Sequence, residues 1–171
     1  MKDKSTYSKL ADFGRKLLEQ RSLEAGLPLI AKYAKEVMNA DRSSIFIYDQ
    51  ASGELWTMIA DGMEKIVVPK DKGIVGFTMS EKKPIIVNDP YSHVHFMPEV
   101  DKESGYITKN LITAPVFNSK REIIGILELL NKEEDFTNED MRFMIFFAHY
   151  ISGFLELNNT YLRETTITKG K

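Results

Sequence analysis

Two almost continuously apolar runs, "NLITAPVFN" at 110–118 and "EIIGILELLN" at 122–131, are joined by the short polar linker "SKR". A strand with one wet face alternates apolar and polar residues, whereas a run like these has both faces covered. The pair therefore predicts a hairpin within a sheet that carries helices over at least part of both faces. Glu128 interrupts the second run. A buried carboxylate costs several kcal/mol unless it is paired or hydrogen-bonded, so Glu128 either meets a basic partner or faces a polar pocket.

The flanking segments supply the rest of that sheet. "SSIFIYD" (43–49) and "ELWTMIA" (54–60) are β-branched and aromatic runs around the turn-forming "QASG", a second hairpin. "KIVVP" (65–69) is a strand closed by proline, "GIVGFTMSEKK" (73–83) a short helix, and "PIIVND" (84–89) extended again. Ahead of them, Tyr7, Leu10, Phe13, Leu17 and Leu18 recur at helical spacing over 6–20. Ser22 caps a second helix whose apolar face is Leu23, Leu27, Ile30, Ala31, Ala34, Val37 and Met38. Pro28 predicts that this helix starts near it or kinks.

Thr137 caps a closing helix, with Asp140 at the third position as a carboxylate variant of the capping box. Its apolar residues, among them Phe143, Phe146, Phe147, Tyr150, Ile151, Phe154, Leu155, Leu157, Tyr161 and Leu162, cover more than one face. That is too much for one sheet, and the first helix has a similar stripe. A homodimer through the two terminal helices accounts for both, and an intrachain pairing of the same helices is the alternative. The expected organisation is an amphipathic helix and dimer contact over 1–21, a domain over 22–160 whose last helix begins near 138, and a helix end and tail over 161–171.

Composition removes several function classes. Twenty-three Lys and Arg against twenty-five Asp and Glu leave a net charge of −2 with the signs interspersed, so no basic field exists for nucleic acid or an anionic membrane. Zero cysteines remove disulfides, thiolate metal sites and a cysteine nucleophile. No apolar stretch is long enough to span a bilayer, and a cytoplasmic location is expected. The signatures G-x-S-x-G, P-loop, H-E-x-x-H and G-x-G-x-x-G do not occur, which leaves no catalytic residue to nominate.

The segment "NDPYSHVHFMPEVDKESGY" (88–106) carries His93 and His95 two apart, a spacing that puts both on one side of a strand. No third ligand is evident, so they read as loop side chains and no metal is expected. His149, among phenylalanines, reads as a core or interface histidine. If 88–106 folds back over the sheet, Asp101, Thr108 and Thr113 share a pocket with Glu128: sheet floor, loop roof and a few convergent polar groups. "GIVG" either offers helix-start N–H groups to an anion or is ordinary turn chemistry.

The order "ADRSSIFIYD", "DG", "GIVG", "NDPYSH", "VDKESGYITKNLITAPV", "IIGILELLNK" and "FTNED" resembles a GAF domain of the regulatory type found beside cyclic nucleotide phosphodiesterases and some bacterial adenylyl cyclases. The resemblance covers about 22–160. It implies an α+β fold related to PAS domains: a central, mostly antiparallel sheet of about six strands between helices, with long N- and C-terminal helices. The family's signature is represented by Asn131, Lys132, Phe136 and Asp140, with Met141 in place of its final Glu. In the family this set is structural, with the lysine bracing the aspartate.

Carried over position by position, the family's cyclic nucleotide pocket maps Ser44 and Asp61 to the base and Ile74 and Val75 to helix-start backbone near the phosphate. Asp101, Thr108 and Glu128 map to the ring and ribose phosphate. Ser104 stands for a threonine, Met97 for a larger aromatic, and Ala60 for an aromatic that stacks on the base. Such stacking is worth about 1–3 kcal/mol, a loss that Trp56, Tyr91, Phe96 or Tyr106 must supply to a nucleotide. The resemblance thus implies a non-catalytic sensory domain that binds a small molecule, with a cyclic nucleotide as candidate ligand and no certain cofactor. Lid closure would bias the terminal helices of a dimer and an effector domain or protein. The alternative is a ligand-free dimerisation module with a collapsed pocket. The family's fold also serves cysteine-dependent methionine sulfoxide reductases, a chemistry for which this chain lacks the residue.

Overall fold

The computed structural model describes residues 4–60 and 65–168, with backbone alone at 23–24 and 158–168. Its centre is a six-stranded sheet in the order β3-β2-β1-β6-β5-β4, every neighbouring pair antiparallel. The strands are β1 (Ala40–Asp49), β2 (Glu54–Ala60), β3 (Val67–Pro69), β4 (Ile85–Val87), β5 (Leu111–Phe117) and β6 (Ile123–Lys132). The apolar β5–β6 hairpin is internal, as its composition requires. At Gly125 an added Cβ would lie 2.4 Å from the carbonyl oxygen of Phe46, so the approach of β6 to β1 needs a residue without one.

Side-chain alternation sorts the core into two compartments. Ile45, Ile112, Ala114, Leu127 and Leu129 point to one face, where α2 (Leu23–Met38) and α5 (Asn138–Thr168) cover them. The other face is covered by α3 (Gly73–Glu81) and α4 (Pro98–Ser104), over Phe46, Leu55, Val68, Ile126 and Leu111. The α+β class with helices on both faces is therefore observed.

Two element expectations are refined. Ser22 accepts a hydrogen bond from the Ala25 amide at 3.3 Å, so α2 begins at Leu23 and carries Pro28 inside it, instead of starting at the proline. α5 is 31 residues long, about 45 Å, and continues to Thr168, so helix fills most of the 161–171 stretch expected to hold a helix end and tail. α1 (Lys4–Leu18) lies outside α2 and packs within its own chain. Phe13 is fully buried there, its ring 5.2 Å from that of Tyr33, 5.4 Å from Phe147 and 5.1 Å from Tyr150. Asp12 accepts a 2.6 Å bond from the Tyr33 hydroxyl, which fastens the two helices, and pairs with Lys16 within α1 at 3.1 Å.

The signature residues form a brace where β6 hands over to α5. Lys132 reaches Asp140 at 2.6 Å, and the carboxylate accepts the Thr137 amide at 2.9 Å while Thr137 Oγ1 accepts the Asp140 amide at 3.3 Å. Asn131, in the left-handed region with φ 55°, accepts from the Lys109 amide at 2.7 Å and donates to the Ile107 carbonyl at 2.7 Å. Phe136 is buried, its backbone held on both sides by the Asn88 amide group at 2.9 and 3.1 Å.

Candidate functional site

On the α3–α4 face the sheet and helices enclose a cavity of about 90 Å³. β1 contributes Ser44 and Phe46 to its floor, β5 Leu111, and β6 Glu128 and Leu130. Ser44 and Thr113 are the in-register neighbours of Glu128 on the adjoining strands. Ile66 and Val68 close one side, and Gly73, Ile74 and Val75 at the start of α3 close another. The roof is Phe96, Met97, Val100, Asp101 and Ser104, followed by Tyr106 and Thr108 on the segment leading back to β5.

Eight of the nine ligand-site residues expected from sequence thus converge: Ser44, Ile74, Val75, Met97, Asp101, Ser104, Thr108 and Glu128. Asp61 lies outside the described residues. Thr113 does not join them, because its hydroxyl is drawn to Thr78 on α3 at 2.6 Å. Of the aromatic side chains named as substitutes for the base-stacking residue, Phe96 and Tyr106 line the cavity, but Trp56 and Tyr91 do not. The apolar walls Phe46, Ile66, Val68, Leu111 and Leu130 were not nominated from sequence, although the period of two that places Ser44 and Glu128 inward also places Phe46 and Leu130 there.

Asp101 acts as a fastener for the roof. Its Oδ1 accepts the Thr108 hydroxyl at 2.8 Å, and its Oδ2 accepts both the Thr108 amide and the Tyr91 hydroxyl at 2.7 Å. These bonds tie α4, the short helical turn at Pro90–Ser92 and the β5 approach to one carboxylate. A second fastener lies at the rim, where Tyr106 donates to Asp41 at 2.8 Å and the Arg42 guanidinium lies 3.8 Å from the centre of its ring. Burial and the Asp41 contact hold the Tyr106 hydroxyl well above the usual phenol range.

Glu128 differs from Asp101. Its side chain has no hydrogen bond or ion pair among the described residues. It is surrounded by protein yet keeps partial exposure through the cavity into which its oxygens open. Burial, reinforced by the charge of Asp101, pushes it up to about 7. The start of α3 faces the same space: Lys72 caps it with no side-chain hydrogen bond, and Gly73 takes a positive φ of 69°. Gly76 is also required, since a Cβ there would sit 2.7 Å from the Asp71 backbone.

His93 and His95 lie in a turn of the roof segment, not on a strand. The His95 ring stacks on Phe77 at 4.4 Å and the His93 ring is 5.7 Å away from it. Among the described residues no group of three His, Asp or Glu side chains is placed to hold a metal ion.

The fold and site define an α+β domain with one sheet, a helical layer behind it and a roofed cavity in front. The GAF domain family model matches residues 22–155, and the chain belongs to that family. It is 26% identical over 144 residues to the probable 3',5'-cyclic phosphodiesterase pde-5 of Caenorhabditis elegans, which covers 75% of this chain and 20% of that protein. The chain therefore spans about a fifth of that relative's length. Among solved structures it resembles the GAF domain of a phosphoenolpyruvate-protein phosphotransferase from Coxiella burnetii, with a TM-score of 0.82, 21% identity and 91% and 95% of the two chains covered. A free methionine-R-sulfoxide reductase from Neisseria meningitidis solved with its substrate gives a TM-score of 0.79 at 19% identity, covering 94% and 95%.

Proposed function

We propose that this GAF domain is a non-catalytic regulatory module whose ligand sits between α4 and the sheet, above Glu128. The observation that carries this reading is a carboxyl group deep in a roofed cavity, open to the cavity and bound to none of the described residues, beneath a roof held by a few reversible hydrogen bonds. A chain that needed this site only for packing would gain by replacing Glu128 with an apolar residue. No cysteine is present, so the reductase chemistry of the Neisseria neighbour has no counterpart here. Ser44, Asp61, Ile74, Val75, Met97, Asp101, Ser104, Thr108 and Glu128 form the proposed ligand set.

A second reading, that the ligand is a cyclic nucleotide, is supported by the activity named for the nematode relative. It requires the roof to move outward, because pockets for ligands of that size are roughly 300–1,000 Å³, against about 90 Å³ here. Outward movement of α4 would break the Asp101 and Tyr106 fasteners, which makes ligand entry a conformational event. The signal would leave through α5, whose Glu156 accepts the amide of Ser119 in the β5–β6 turn at 2.7 Å. A homodimer through the terminal helices and an effector domain or protein complete the proposal.

Thermal denaturation with cyclic AMP, cyclic GMP and a metabolite panel tests it. A ligand at about 100 times its dissociation constant adds about 2.7 kcal/mol, or roughly 5–10 °C for a chain of this size. Stabilisation by a cyclic nucleotide supports the second reading. Stabilisation by another metabolite alone supports the first and rejects the second, and no response at millimolar concentration supports a ligand-free dimerisation module.

A further inference from the structure

We propose that the cavity takes a small organic cation, with a protonated amine seated on Glu128. This rests on the reading that the cavity binds a ligand, and it names that ligand's chemistry.

The charge inventory of the walls carries it. Two carboxylates, Asp101 and Glu128, line the cavity, while no Lys, Arg or His does so among the described residues. The two are not interchangeable. Three hydrogen bonds from Thr108 and Tyr91 occupy both oxygens of Asp101. Glu128 has none from any described side chain or backbone group, and its oxygens open into the cavity.

Where this protein buries a carboxylate for structure, it satisfies it: Lys132 stands 2.6 Å from Asp140 at the head of α5, and Thr108 and Tyr91 bind Asp101. No described residue does the same for Glu128. An anionic ligand would bring a negative charge beside Asp101 and Glu128 in a partly desolvated space where no described wall side chain is basic, and like charges repel strongly there. An ammonium group instead forms a charge-assisted hydrogen bond with Glu128, and Phe46, Val68, Leu111 and Leu130 offer contact to a short aliphatic body. The volume of about 90 Å³ suits such a molecule.

Protonation gives the binding a direction with pH. Among the described residues, Asp101 from α4 and Tyr106 from the segment before β5 are the other titratable groups on the walls, and α3, β1, β3 and β5 present none. Burial and Asp101 push Glu128 up to about 7, and a cation beside it reverses that, so binding releases the proton that Glu128 holds. Affinity rises with pH until Glu128 is ionised.

The test is a methyl NMR titration of the whole chain, observing Ile74, Val75, Leu111 and Leu130, with n-butylammonium chloride, n-butanol, sodium butyrate and cyclic AMP at matched ionic strength. The expected result is saturable binding of butylammonium, tighter at about pH 8 than at about pH 6. It should exceed butanol by about tenfold and fall by about tenfold in Glu128→Gln, the loss of one charge-assisted contact. Spectra of the free variant establish that it is folded. Butyrate or cyclic AMP binding as tightly as the amine, or an unchanged affinity in Glu128→Gln, overturns the assignment and leaves the ligand-binding reading standing. Saturation by none of the four, with a metabolite still stabilising the protein thermally, overturns the amine alone; silence in both experiments overturns both.

Discussion

Glu128 is the residue where stability and site chemistry conflict. Its carboxyl is raised from 4.5 to about 7 by burial and by Asp101, so between those values the folded protein holds a proton that the unfolded chain has lost. A raised carboxyl pKa makes stability fall as pH rises across that window; the penalty is absent below about 4.5 and complete above about 7. At 1.36 kcal/mol per pH unit it amounts to about 3 kcal/mol. Glu128→Gln lacks the penalty. In the ligand-free protein its melting temperature should match wild type near pH 4.5 and exceed it by roughly 6–12 °C at pH 8. A difference independent of pH would show that Glu128 is not the group that titrates. The sequence marked this residue because it broke an apolar strand, but could not show whether a basic partner stood opposite. That depends on which side chains the roof brings over the sheet, and Asp101, the charged one among its described residues that lines the cavity, carries the same sign.

At the scale of elements, the joint between β6 and α5 holds the domain's closing helix in place. Asp140 is fully buried and its ion-pair partner Lys132 is 12% exposed, so removing the lysine leaves a buried carboxylate without its cation. Breaking such a pair costs about 3–5 kcal/mol. Lys132→Met should lower stability to urea by that amount, whereas an exposed lysine such as Lys32, near Glu36 at 4.0 Å, should cost under about 1 kcal/mol when truncated. Equal losses in the two variants would remove the brace from the account. This joint was legible in sequence, the Thr137–Asp140 capping box because it is local and the Lys132–Asp140 brace through the resemblance to the GAF family. The roof was less legible. His93 and His95 read as loop side chains and lie in a turn, but nothing in the sequence showed that both rings gather with Phe77, a contact of no local origin.

Across the whole molecule, the apolar surplus of the terminal helices has two destinations. Part is spent within the chain, where Phe13 fills the gap between α2 and α5. Part remains on the surface: Leu18 is 87% and Leu157 72% exposed. Exposed leucines on the two helices that were expected to dimerise are the places at which a proposed homodimer can be broken without disturbing the fold. Replacing both by Glu should convert a dimer at micromolar concentration to a monomer by sedimentation analysis, with unchanged circular dichroism. A wild-type chain that sediments as a monomer at the same concentration would reject the dimer.

The sequence by itself determined the main strands and the caps at Ser22 and Thr137, because periodicity, capping and turn chemistry act over a few residues. It also brought Ser44, Ile74, Val75, Met97, Asp101, Ser104, Thr108 and Glu128 together through resemblance to the GAF family. Only the tertiary structure decided how those residues divide their work. Asp101 is consumed in fastening the roof, Thr113 is lost to α3, and, among the described residues, Glu128 is left without a partner in a cavity lacking basic side chains. Charge and hydrogen-bond satisfaction are set by which groups meet across the fold.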